Sequence, residues 1–333
     1  MALSRRERRE KRKKLLKEER LSQIRALQQK EEVGSKKEYK GVLRFYDKQY
    51  KKLVFIPFII LVLAIISIII HATATGDFIN KGVSLKGGIV ITIPVEQEIS
   101  PLEIEERIKN ELAQDIDVRS IAEFGEQKAI IITSEDIESQ DQILSIADQL
   151  IPGAEEQASV ETTGSSLGAG FFRQVIIALI IAFILMGVVV FLYFKTPVPS
   201  AAVILAVFSD IVVSLAIVNL LGIKLSTAGI AAFLMLIGYS VDTDILLSTR
   251  VLKRKQGTVF DRVISAAKTG LTMNITTLVA VVIAMVVTPS ETIKQIMTIL
   301  FIGLIVDIIN TWLQNTGILR YYLERKARGP ASQ

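Results

Sequence analysis

The chain has no cysteine and a single histidine, His71, among 333 residues. The first absence excludes a disulfide framework, a thiolate nucleophile and a thiolate metal site, and the second excludes a His-rich metal centre. Neither metal nor cofactor is expected. His71 falls at the end of an apolar run, where an amphipathic ring suits a membrane interface. The chain also lacks Gly-x-x-x-x-Gly-Lys-[Ser/Thr], Gly-x-Ser-x-Gly and His-Glu-x-x-His, so it carries no recognisable ATP engine and no hydrolytic constellation. No enzyme is expected, and energy, if used, must come from an ion gradient or a partner. Charge is scarce too: 22% of residues are charged against 50% apolar.

The apolar excess, with a mean hydropathy of +0.44, is concentrated in runs of membrane-spanning length. Six candidate spans cover about Leu53–Ile70, Phe171–Phe194, Ser200–Leu221, Ser226–Thr249, Lys268–Thr288 and Ile293–Leu319. Each is long enough to cross about 30 Å of hydrocarbon. The chain therefore divides into a basic segment (1–52), a first span (53–72), a polar domain (73–170), five further spans (171–319) and a tail (320–333).

Charge is split between these parts. Residues 1–52 carry 19 Lys/Arg against 8 Asp/Glu, whereas residues 73–170 carry 6 against 19. The Lys/Arg-rich run at 5–14 fits a topology anchor, a patch for anionic lipid headgroups or an RNA contact. Without interleaved aromatics, anchor or lipid is favoured and no nucleic-acid partner is expected. The basic region is too long for a cleavable signal peptide, and no small-residue cleavage site follows the first apolar run. With six spans, Lys195, the basic segment from Arg250 to Lys268 and the tail all share one side with the N-terminus. The positive-inside rule then places both termini in the cytoplasm and the acidic domain outside, in a multi-pass protein of the cell membrane.

The polar domain reads as βαββαβ. Gly88–Pro94 is a β-branched strand. Ser100-Pro101-Leu102-Glu103 opens a helix to about Ala113 with a capping box, and Val118–Glu123 and Lys128–Thr133 pair around a turn containing Gly125. A helix over Ser134–Leu150 stops at Pro152-Gly153, and Gln157–Thr162 is the last strand. That order predicts a ferredoxin-like α+β domain. The segments Thr73–Lys81 and Thr162–Gly170 read as its hinges.

Inside the spans lie Asp210, Asp242, Asp244, Asn274, Asp307 and Asn310. A carboxylate at mid-bilayer costs about 2.5–3.5 kcal/mol on insertion scales, so it marks an ion or proton site or a polar glue between helices. Asp242 and Asp244 are two residues apart, about 200° around a helix, so only one can face a given cavity. Asp244 lies nearer the basic end. Asp242 is therefore the expected ion site, with Gly238 one turn away on its face allowing close helix approach. Asp210, Asp244 and Asp307 are the other candidates.

Several motifs resemble the SecD/SecF family of the protein-export machinery, in its archaeal SecF form. Gly82-Val83-Ser84-Leu85-Lys86-Gly87-Gly88 is similar to the family's Gly-x-Asp-x-x-Gly-Gly signature, with Ser84 in place of Asp. Gly164-Ser165-Ser166-Leu167-Gly168 resembles its glycine-rich segment before the second span. Ile237-Gly238-Tyr239-Ser240-Val241-Asp242 resembles its fourth-span signature, and Asn274-Ile275-Thr276-Thr277-Leu278 its fifth-span motif. The resemblance implies a bundle like that of the RND transporters and a SecD partner. It further implies work beside the Sec translocon on unfolded exported substrates, driven by the proton-motive force. By position Asp242 matches the fourth-span carboxylate of SecD, with Tyr239, Lys268 and Asn274 in support and Gly82, Gly87 and Gly88 as the outer signature. Two other readings stay open: a passive translocon scaffold, and half of an RND-like lipid or small-molecule exporter.

Overall fold

A computed structural model describes residues 41–327 apart from 96, 115, 124, 125, 255, 256 and 289. The basic run at 5–14 and the Gly125 turn lie outside the described residues. An amphipathic helix, α1 (Val42–Leu53), leads into the first long apolar helix, α2 (Phe55–Thr75). After the α+β domain come α7 (Ser165–Phe194), α8 (Pro197–Leu220), α9 (Thr227–Lys253), α10 (Val259–Val287) and α11 (Glu291–Ile309). A π-helical turn, Asn310–Asn315, joins α11 to α12 (Thr316–Ala327) without breaking the rod. Six helices among the described residues are long and apolar enough to cross a membrane, the last running Glu291–Lys326.

Burial sorts them into two classes. About half of the apolar window is buried in α8 (56%), α9 (50%) and the α11–α12 rod (50%), against 17%, 6% and 17% in α2, α7 and α10. The first three form the centre. The others leave most of their apolar surface outside the chain, as lipid-facing helices do. Two helices start earlier than expected. α10 begins at Val259 because Thr258 and Asp261 cap each other: Asp261 N–H donates to Thr258 Oγ1 (3.1 Å) and Thr258 N–H to Asp261 Oδ2 (2.9 Å). α7 begins at Ser165, directly after the sheet domain.

That domain holds β1 (Gly88–Pro94), β2 (Ile116–Glu123), β3 (Glu126–Ser134) and β4 (Ser159–Thr163), with α4 (Pro101–Leu112) and α5 (Gln140–Leu150). Two single-turn helices, α3 (Val83–Lys86) and α6 (Ala154–Gln157), precede β1 and β4. The sheet runs β2-β3-β1-β4 with every pairing antiparallel, which is the ferredoxin-like order. Alternation along β1 and β3 sends Ile89, Ile91, Ile93, Ile130 and Ile132 to one face, where they meet Ile104, Ile108 and Ile143 of the helices with no exposed surface. Ser100 makes no side-chain cap; Pro101 alone starts α4, so the expected capping box does not form. α5 begins at Gln140, because Asp136 and Ser139 close a turn before it, Ser139 Oγ donating to the Asp136 carbonyl at 3.0 Å.

Neither connection to the bundle is a free hinge. Gly82 N–H donates to the Leu225 carbonyl (2.8 Å) and Leu225 N–H to the Asn80 carbonyl (2.6 Å). Asn219 accepts from the Asn80 backbone N–H (3.3 Å) and donates through Nδ2 to the Phe78 carbonyl (3.0 Å). The stem is thereby sewn to the α8–α9 turn. Gln295 of α11 joins the same knot, donating to the Lys224 carbonyl (2.6 Å). Thr162 pairs with Ile89 in the sheet. Gly87, at φ +99°, sits where a Cβ would lie 2.5 Å from the Ser165 Cα, so the outgoing and returning chains cross in contact. Beside the knot, a cleft of ≈ 580 Å³ separates the open sheet face from the bundle. It is bridged by Lys224–Asp117 (3.7 Å) and by Lys294 Nζ donating to the Ala122 carbonyl on β2 (3.5 Å).

Ile132→Ala should destabilise the sheet domain by about 2–5 kcal/mol, the usual cost of truncating a fully buried isoleucine. Limited proteolysis of the full chain in increasing urea should show cuts within 88–163 at lower urea, with the bundle unaffected.

Candidate functional site

Helical periodicity brings one polar face from each central helix to a common axis. α8 supplies Ser209 and Asp210, α9 supplies Ser240 and Asp244, and α11 supplies Asp307. The π turn adds Asn310, Thr311, Gln314 and Asn315, and α10 adds Asn274. All ten side chains are buried, at 0 or 1% exposure. Charge in such a place persists only if other groups in the protein satisfy it.

The satisfaction is extensive. Asp210 accepts from Ser240 Oγ at 2.5 Å and from Asn310 Nδ2 at 2.7 Å. Asp244 Oδ1 accepts from Asn315 Nδ2 at 2.7 Å and lies 3.0 Å from Thr311 Oγ1. Asp307 accepts from Asn274 Nδ2 at 3.1 Å, and its Oδ1 lies 3.1 Å from the same Thr311 Oγ1. Gln314 Nε2 donates to Ser209 Oγ at 3.2 Å on the flank.

A hydroxyl has one hydrogen. Thr311 cannot donate to Asp244 and Asp307 together, so both contacts are hydrogen bonds only when one of those carboxyls brings a hydrogen of its own. The geometry thus accommodates one proton on the pair, relayed through Thr311. Asp244 Oδ2 has no hydrogen-bond partner among the described residues, so a proton or cation can be held there without displacing an existing contact.

Of the two neighbouring aspartates, Asp244 is buried and Asp242 is not. Asp242 is exposed on the bundle's outer surface, in line with Ala231, Met235 and Gly238, and takes no part in the cluster. The 200° separation does put one aspartate inside, but that one is Asp244. Its face carries Ser240 and Ser248 at i±4, and that polar phase was the signal available to choose between the two. Gly238 meets no neighbouring helix: a Cβ there would have nothing within 4 Å. Tyr239 is half-buried at the edge, its hydroxyl donating to the Met273 carbonyl at 3.0 Å. Lys268 is exposed and away from the carboxylates, whereas Asn274 is a direct partner. Gly82, Gly87 and Gly88 belong to the stem, not to this site. The residues that sequence reasoning missed are Ser209, Ser240, Thr311, Gln314 and Asn315. With Asp307 and Asn310, the last three recur at intervals of three and four in an otherwise apolar helix, a stripe visible in the sequence.

If the pair holds a proton, the purified full-length protein should show an infrared carboxylic-acid C=O stretch at neutral pH. The band should vanish in the Asp244→Asn, Asp307→Asn double variant. A wild-type spectrum without it would mean that both groups are ionised.

Residues 144–325 match the family described as protein export membrane protein SecD/SecF, C-terminal. The chain is 39% identical over 278 residues to the protein-export membrane protein SecF of Pyrococcus furiosus, covering 83% of this chain and 92% of that one. To the SecF of Methanocaldococcus jannaschii it is 40% identical over 285 residues, covering 83% and 96%. Among solved structures it superposes on SecDF, a translocon-associated membrane protein from Thermus thermophilus, with a TM-score of 0.66 at 17% identity. That match covers 86% of this chain and 40% of the solved one. Sequence and fold agree, and the chain belongs to the SecD/SecF family of protein-export membrane proteins.

Proposed function

We propose that this chain is the SecF-like subunit of an ion-driven protein-export assembly. In this reading its buried carboxylates bind and release a proton, and the energy assists translocation. The observation that carries it is the single Thr311 hydroxyl between Asp244 and Asp307, at 3.0 and 3.1 Å. A static strut has no use for three carboxyl groups gathered from three helices with too few hydrogens between two of them. The proton-motive force supplies what such a site consumes, and no enzymatic step is required of the chain.

The solved SecDF chain is more than twice as long as the part this chain covers, which supports a second six-span subunit, SecD, as partner. The exposed line of Ala231, Met235, Gly238 and Asp242 is where such a subunit would pack: small residues permit close approach, and Asp242 needs cover or a counter-charge in hydrocarbon. Membrane lipids would cover α2 and α7. The translocon channel and unfolded exported chains are the remaining partners in this reading.

Orientation follows from charge. Lys195, Arg250, Lys253, Arg254 and the α12 residues Arg325 and Lys326 cluster at one end of the bundle, opposite the acidic sheet domain. Both termini are then cytoplasmic and the domain is outside, in the plasma membrane. Coupling needs a mechanical output, and the stem supplies one. α8, α9 and α11, the helices bearing the carboxylates, meet again at Asn219, Leu225 and Gln295, where the sheet domain is tied on. A change in their packing on protonation reaches that domain through fixed contacts rather than through a slack linker.

Reconstitution with SecD and the translocon in proteoliposomes tests this. Asp244→Asn should abolish stimulation of export by an imposed pH gradient while the complex still assembles, and Asp242→Asn should keep most of it. Undiminished stimulation by Asp244→Asn would instead favour a passive scaffold. Transport of lipid or a small molecule without any translocon would favour a free-standing exporter.

A further inference from the structure

The π turn at Asn310–Asn315 has a partner outside the carboxylate cluster. A π turn widens the helix by one residue and moves its backbone bonds from i+4 to i+5, as where the Thr316 N–H reaches the Thr311 carbonyl, and here side-chain hydroxyls add to them. The Thr311 carbonyl takes the Thr316 hydroxyl (3.0 Å). The next carbonyl, Trp312, takes the phenolic hydroxyl of Tyr46, which reaches it from α1, far away in sequence.

α1 is held against this region at two more points. Asp47 accepts from Arg320 at 2.7 Å, and the Arg320 guanidinium, almost fully buried, lies 4.0 Å from the centre of the Tyr50 ring and 5.1 Å from that of Phe260. At Gly317, two residues past the π segment, a Cβ would collide with the γ-methyl of Val54 between α1 and α2. Burial raises the Tyr46 pKa above its ordinary value, although the Thr316 hydroxyl and Arg320 pull the other way. The phenol therefore stays a donor across physiological pH.

We propose that α1 is a positioning element for the carboxylate site: the Tyr46 hydroxyl, bound to the Trp312 carbonyl, holds the π turn in the register that presents Thr311 and Asn315 to Asp244. Closing the turn to an α-helix would rotate everything after it by about 100° relative to everything before it. Asp307 on one side, and Asn315 and Arg320 on the other, could not then all keep their partners. Tyr46 touches none of the three carboxylates and acts only through the backbone of the turn. The inference rests on the proton-holding reading above and adds a residue from the segment preceding the first span.

Infrared spectroscopy of the full chain in detergent tests it, read beside gradient-stimulated export in proteoliposomes. In Tyr46→Phe the carboxylic C=O band should shift in frequency, and most of the stimulation should be lost. Phe45→Ser, on the exposed side of α1, should leave both unchanged. Thr316→Val, which removes the other side-chain donor to the turn, should move the band as Tyr46→Phe does, and it serves as the test if Tyr46→Phe fails to accumulate. A wild-type band that stays in place in a folded Tyr46→Phe or Thr316→Val protein overturns the positioning role alone. Absence of a band in the wild type overturns the proton-holding reading and this one with it.

Discussion

Hydrocarbon offers no hydrogen bonds, so a carboxyl group among membrane helices must find its donors within the protein or lose its charge. Asp210, Asp244 and Asp307 draw on Ser240, Asn310, Asn315, Asn274 and Thr311. These donors come from α9, α10 and the π turn, so α8, α9, α10 and the α11–α12 rod are bound to one another by the same contacts that keep the acids in place. The half-buried state of α8, α9 and the α11–α12 rod follows from that demand, and α10 joins them through Asn274 with most of its length outside. α2 and α7 give no donor to the three carboxylates and lie on the outside.

The supply of hydrogens is one short of what the contacts call for around Thr311. A fully supplied network would be a rigid glue, whereas in the proposed reading this one has two states of similar geometry differing in which carboxyl holds the hydrogen. Such bistability is what a transported charge needs in order to act on helices rather than merely sit between them. The knot at Asn219, Leu225 and Gln295 gives those helices a grip on the sheet domain at their far ends.

Much of this was legible in the sequence. Six apolar runs became six long helices, and Ile89, Ile91 and Ile93 alternate as a half-buried strand must, so the ferredoxin-like order could be read from element order alone. The boundaries went wrong where polar chemistry, not hydropathy, sets the end. Thr258 and Asp261 start α10 well before its apolar run, and Asp136 delays α5. Nearness to the basic end points away from Asp244, whereas Ser240 and Ser248, in phase with it, mark the inner face. The π turn was not legible at all, since one extra residue in a helical turn leaves no trace in hydrophobic periodicity. It depends on donors as distant in sequence as Tyr46.

The sheet's outer rims carry a further consequence. β4 is five residues long, with polar Ser159, Glu161 and Thr163 along it, and on β2 the Ala122 carbonyl is taken by Lys294 while Arg119 and Asp117 pair at 2.7 Å. Short, charged and partly occupied borders discourage another strand from adding on. The domain is thereby guarded against edge-to-edge pairing with any extended chain that it meets.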